Sequence, residues 1–172
     1  MSGALGPWRA FLVSHSLVIE LLDRDLRTEL GLPLTWYEVM LHLEIAPDGH
    51  RRMGDLADRL LLSRSGATRL IDRMVAAGLV GRCGSPGDKR ARLASLTPTG
   101  RELFRRAVPL HLAGVERHFL AHLKPNERAV LEEALGRVVA AAAPLSGRAT
   151  LLAALDELRG TATRTPERQR DP

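Results

Sequence analysis

The chain has 172 residues, 45% of them hydrophobic but only 3% aromatic, and a formal net charge of +5. That length supports one domain or two merged ones with a real core, and the dominance of Leu and Ala over Val and Ile favours helices packed on helices. No apolar run approaches the ~20 residues that cross a bilayer. The opening MSGALGPWRAF lacks a secretory leader pattern, and the lone Cys83 excludes an internal disulfide, so the expectation is a cytoplasmic protein.

Trp8, Phe11, Leu12, His15, Val18, Ile19, Leu22, Leu26 and Leu30 recur at three- and four-residue steps, predicting one long amphipathic helix closed by Gly31 and Pro33. Thr35 with Glu38 three residues on predicts a capping box for a second helix, with Val39 and Leu43 facing inward. Ala46-Pro47-Asp48-Gly49 ends it, and Arg51-Arg52-Met53 is too short to assign alone. Asp55 to Leu60 reads as a short third helix.

Ser63 is a good N-cap for a fourth helix running to about Ala77, with Gly78 as its stop. Ala67, Leu70, Ile71, Met74 and Val75 form its inward stripe, and Arg64, Ser65, Thr68, Arg69, Asp72 and Arg73 its outer face. Leu79–Cys83 and Arg92–Leu96 then read as two strands joined by a loop carrying Lys89 and Arg90. A long helix is predicted over Thr99–His122, kinked at Pro109, with Leu103, Ala107, Leu110, Gly114 and Phe119 near one side. A sixth follows Pro125 and is expected to bury Val130, Leu131, Ala134, Leu135, Val138 and Val139. Ala149–Leu158 suits a last helix, and the polar stretch 160–172 reads as a disordered tail.

Charge is segregated along this order. From Arg51 to Arg106 there are 13 Lys/Arg against 5 Asp/Glu, a surplus of 8, which leaves −3 of the total +5 for the rest. A basic middle between mildly acidic ends points to a polyanion met by the middle alone. No glycine-rich phosphate loop, nucleophile elbow or HExxH occurs, so nothing in the sequence suggests an enzyme.

A short helix, a tight turn, a second helix with an Arg/Ser/Thr face and then a basic β-hairpin is the order of a winged helix-turn-helix. The N-terminal part of such a helix fits the major groove, where Arg, Ser and Thr meet base edges. The hairpin tip reaches the adjacent minor groove. The fold expected is mainly α with a small β-hairpin.

Three stretches, Arg52-Met53-Gly54-Asp55-Leu56-Ala57-Asp58-Arg59-Leu60, Ser63 through Met74, and Asp88-Lys89-Arg90 running to Leu96-Thr97-Pro98-Thr99-Gly100, give the chain a specific likeness. It resembles the MarR (multiple antibiotic resistance regulator) family from about Trp8 to Ala143. The resemblance implies a DNA-binding regulator, acting as a ligand-responsive repressor on a pseudo-palindromic operator. It implies a helical dimerisation domain at 8–34 and 99–158, with the first, fifth and sixth helices building a homodimer, around a winged helix-turn-helix domain at 35–98. The expected DNA contacts are Ser63, Arg64, Ser65, Thr68, Arg69, Arg73, Arg82, Lys89, Arg90 and Arg92, with Arg90 in the minor groove and Asp88 bracing the wing.

Metal and oxidant sensing on the same fold are the alternatives, along with a winged helix that binds protein instead of DNA. His118 and His122 have the i, i+4 spacing of a ligand pair but no Cys or carboxylate joins them locally, so no metal is expected. Cys83 lies beside a cationic loop, yet the first helix, where peroxide sensors of the family carry their cysteine, has none. No cofactor is expected. A small organic effector is the ordinary option; the resemblance implies a crevice where the dimer domain meets the DNA-binding lobe, on segments carrying Trp8, His15, Trp36, His42 and His111, although both tryptophans suit core anchors equally well.

Overall fold

This computed structural model describes residues 5–85 and 88–148 together with Leu151, Ala153, Asp156 and Glu157; the side chains of residues 84–92 lie outside that description. So do the predicted tail at 160–172 and most of the helix expected at 149–158.

The first helix, α1 (Gly6–Leu30), ends as its sequence predicts, at Gly31 in the left-handed conformation (φ 64°). α2 (Leu34–Glu44) starts differently from expectation. Its N-cap is Pro33, with no side-chain cap, so the Thr35/Glu38 capping box does not form. The Leu34 N–H instead donates to Asp23 Oδ1 of α1 at 2.8 Å. A carboxylate one helix away thus satisfies the free end of α2 and fixes the angle between the two helices. The Arg27 Nε–Oδ2 bond (2.5 Å) and the Leu34 N–H outweigh the burial of the Asp23 carboxyl and hold it below the usual range.

β1 (His50–Arg52) leads directly into α3 (Met53–Arg59), and α4 (Arg64–Ala76) follows a tight turn. β2 (Val80–Ser85) and β3 (Asp88–Leu96) complete an antiparallel sheet of order β1-β3-β2. The wing therefore has a third strand beyond the predicted hairpin. Arg51 pairs with Ala94 and Arg52 with Leu93. Three residues gain a strand conformation only from β3's free edge, a partner more than forty positions away.

α5 runs Pro98–His118, continuing through Pro109, and stops earlier than Thr99–His122 predicts. A 3-10 turn (Leu120–His122) then leads into α6 (Pro125–Leu145). The core gathers Leu22 and Leu26 of α1, Tyr37, Met40 and Leu43 of α2, Leu56 of α3, Leu70, Ile71 and Met74 of α4, Ala94 and Leu96 of β3, and Phe104 and Ala107 of α5. α5 is the element that ties the halves: it packs against α1, α2 and β3. His118 Nε2 meets Asp25 of α1 at 2.8 Å, and Arg101 meets Glu44 of α2 at 2.5 Å.

The burial expected along α6 does not form, and the apolar stripe of α1 is covered only in part, for one reason. On α1 only Leu22 and Leu26 are buried, whereas Trp8 is 56% exposed and Phe11, Leu12 and Ile19 are also exposed. On α6 only Ala143 is buried, and Val130 and Val138 (61%) face outward. The apolar periodicity is real, but no other part of the chain covers those faces among the described residues. No helix among the described residues is long and apolar enough to cross a membrane.

Candidate nucleic-acid interface

α3 and α4 meet at a right-handed-to-left-handed switch in which Leu61 takes φ 56°. The Leu61 and Leu62 N–H groups return to the carbonyls of Asp58 and Ala57 at 3.2 and 2.9 Å, closing the end of α3. Ser63 then opens α4, its hydroxyl accepting from Gly66 N at 3.1 Å, as the sequence predicts. Ala67, Leu70, Ile71 and Met74 are buried, while Val75, predicted inward, is exposed. With one face locked in the core, the other is presented as a rigid stripe: Arg64, Ser65, Arg69 and Arg73 are exposed and Thr68 is half-buried.

The stripe mixes hydroxyls and cations. Near the N-terminus, the Ser63 and Ser65 hydroxyls lie 3.3 Å apart and Thr68 Oγ1 donates to the Arg64 carbonyl at 2.9 Å. Arg64 stands among these hydroxyls, and further cations follow at Arg69 and Arg73. An open cleft of about 550 Å³ runs beside them, lined by Thr35, Leu62, Gly66, Arg69, Leu70, Asp72 and Arg73. Arg82 is placed on β2 as expected but is tied to Asp72 of α4 at 2.7 Å. That pair joins the helix to the wing sheet, a role the sequence reading did not assign to Asp72. Asp88, Lys89, Arg90 and Arg92 fall on β3, and their side chains lie outside the described residues. Cys83 is exposed on β2.

The wing's seat on α5 is built from Thr97 and Gly100. Thr97 Oγ1 donates to Gly78 O at 2.7 Å and accepts from Gly100 N at 3.0 Å, capping α5 while gripping the turn after α4. The Leu96-Thr97-Pro98-Thr99-Gly100 stretch is therefore a joint between wing, recognition helix and α5.

The five residues assigned to an effector crevice do not line the cleft beside α4. Trp8 and His15 flank Phe11 on the exposed part of α1, with ring centroids 6.1 and 6.0 Å from it. His111 lies 4.3 Å from the Tyr37 ring, which also stacks on Phe104, and burial lowers its pKa. Trp36 packs half-buried on the core. His42 is buried, its carbonyl accepting from Arg51 Nε at 2.5 Å. His118 pairs with Asp25, whereas His122 falls in the 3-10 turn, so the two no longer share a helical face.

Burial first, then the charges of Arg59 and Arg51, push His42 down from 6.5 to about 4, with Glu157 opposing. Between those values the unfolded chain takes up a proton that the folded chain refuses. Stability is whole above pH 6.5 and is lost as pH falls towards 4, by on the order of 3 kcal/mol from this residue. His111 adds loss of the same sign. Urea unfolding of the chain and of a His42→Leu variant across pH 4–7.5 should show the gap between them shift in the variant's favour as pH falls; a constant gap would contradict it.

A buried helix pair, a free Arg/Ser/Thr face and a three-stranded wing define a winged helix-turn-helix protein of the class that regulates transcription. The chain belongs to the MarR family. The family's model matches residues 30–91. AbsC, a MarR family transcriptional regulator from Streptomyces coelicolor, is 35% identical, with 82% of this chain and 93% of that one covered and a TM-score of 0.75. Sco3205 from the same organism, solved in complex with DNA, is 32% identical over 77% of this chain and 82% of that one, with a TM-score of 0.72. A point mutant of MarR from E. coli, complexed with operator DNA, is 25% identical over 80% and 94%, with a TM-score of 0.70. No curated protein sequence matches the chain.

Proposed function

We propose that the chain is a ligand-responsive repressor that binds a pseudo-palindromic DNA operator as a homodimer, by binding and not by catalysis. The observation that carries it is the α4 face: four exposed Arg and Ser side chains on a helix whose opposite side is locked in the core, next to a basic wing. Two similar proteins were solved with DNA. Residues 35–98 form the DNA-binding domain, and 8–34 with 99–158 the dimerisation domain.

In this reading Ser65, Thr68 and Arg69, with Arg64, meet base edges in the major groove, and the helix N-terminus at Ser63 attracts a phosphate. Arg73, Arg82, Lys89 and Arg92 neutralise backbone, while Arg90 enters the minor groove and Asp88 braces the wing. Because Asp72 already holds Arg82 at 2.7 Å, Arg82 approaches DNA as half of a pair and contributes less than a free cation.

The dimer reading rests on the bare apolar faces. Trp8, Leu12, His15 and Ile19 continue, at three- and four-residue steps, the same stripe that buries Leu22 and Leu26. Val130, Val138 and Leu145 lie exposed along α6. In this reading a second copy covers both, because large apolar side chains exposed along two helices are the usual mark of an association surface.

Arg69→Ala tests the register. It is expected to relax preference at one operator position, costing on the order of 1–3 kcal/mol against the preferred base and little against its substitutes. Binding measured against all single-base variants of a selected operator reads this directly. A uniform loss across every sequence would make Arg69 a phosphate contact.

A further inference from the structure

Two arginines of the winged half, Arg51 on β1 and Arg59 at the end of α3, have side chains only 8% and 7% exposed. Guanidinium groups keep their charge when buried, so each needs an anion or a full set of acceptors. Both turn to one carboxylate, and it comes from far along the chain. Arg59 forks onto Glu157, Nη1 to Oε2 at 2.9 Å and Nη2 to Oε1 at 3.0 Å. Arg51 Nη2 donates to the same Oε2, while its Nε is spent on the His42 carbonyl. Arg59 Nε and His42 Nδ1 are buried alongside with no hydrogen-bond partner.

The geometry is that of a receptor: a bidentate fork, a second cation on the shared oxygen and a carboxylate that is itself 30% exposed. We propose that Arg51 and Arg59 form a carboxylate-binding site in the winged half and that Glu157 is its tethered ligand. Glu157 thereby bonds to two elements that position the DNA-reading parts. Arg51 sits on β1, paired to the wing strand at Ala94. Arg59 sits on α3, whose end sets the turn into α4. Glu157 is a positioning residue that steadies both.

Removing the tethered carboxylate leaves an empty receptor that a free carboxylate should fill. In the full chain, Glu157→Ala is expected to lower the melting temperature by about 5 °C or more in chloride buffer, with Glu157→Gln between it and the parent. Replacing chloride by formate at equal ionic strength should then raise the melting temperature of Glu157→Ala well beyond any rise in the parent, and the excess should vanish when Arg59→Ala is added. The proposal is overturned if Glu157→Ala melts with the parent, or if formate lifts both equally. Melting is read without DNA, so this outcome is independent of the operator-binding reading.

Discussion

A Gly100→Ala variant is expected to melt roughly 6–12 °C below the parent chain, because α5 cannot keep its seat under the wing with even one methyl added. A Cβ at Gly100 would lie 2.0 Å from the Leu79 carbonyl oxygen and 2.9 Å from its carbon. Both are backbone atoms, held by the Thr97 N–H bond to that same oxygen at 3.1 Å. Neither side can yield by a rotamer change, so the helix must shift off the turn that links α4 to β2. Overpacking against backbone costs about 3 kcal/mol or more, and each kcal/mol is worth ~2–4 °C in a chain of this size. Gly54 supplies the control. Nothing lies within 4 Å of a Cβ there, so Gly54→Ala in α3 should be neutral or stabilise by up to ~1 kcal/mol. Differential scanning calorimetry of the two variants should separate them cleanly; equal melting temperatures would mean that the joint at Gly100 has slack.

The second large effect is on assembly. A chain carrying Leu12→Asp together with Val138→Asp is expected to be a monomer at micromolar concentration and to lose operator affinity by two orders of magnitude or more. Each of these side chains is exposed in the single chain and would be buried between copies, a gain of about 1.5–3 kcal/mol per Leu or Val. A carboxylate in that place forfeits the gain and adds the cost of an unpaired buried charge. Operator affinity follows because two linked recognition helices bind as one unit, whereas separated ones each meet a half-site alone. The monomer should keep its helical content, since neither position belongs to the core. Sedimentation velocity with circular dichroism checks both halves of this; a dimer that persists would place the interface elsewhere.

Elements whose cause is local were legible in the sequence. Ser63 caps α4 because its hydroxyl reaches an amide three residues away, and Ala67, Leu70, Ile71 and Met74 share a face by helical geometry alone. The α4 side of the candidate site was legible for the same reason. What escaped depends on partners distant in sequence. β1 exists because β3 offers it an edge, α2 is capped by Asp23 of the preceding helix, and Arg82 is engaged by Asp72. No periodicity announces that Glu157 will meet Arg51 and Arg59 some hundred residues earlier. α6 marks the other limit. Its pattern shows that Val130 and Val138 form an apolar face, and a pattern cannot say whether its cover comes from the same chain or another.

The most direct test of the account is the stoichiometry and footprint of the full chain on DNA fragments that it selects from a random pool. Sedimentation of the complex should find two chains per fragment, and hydroxyl-radical footprinting should protect two symmetric half-sites centred about one helical turn, ~34 Å, apart. One chain per fragment, a single protected half, or no sequence enriched above the starting pool would contradict it.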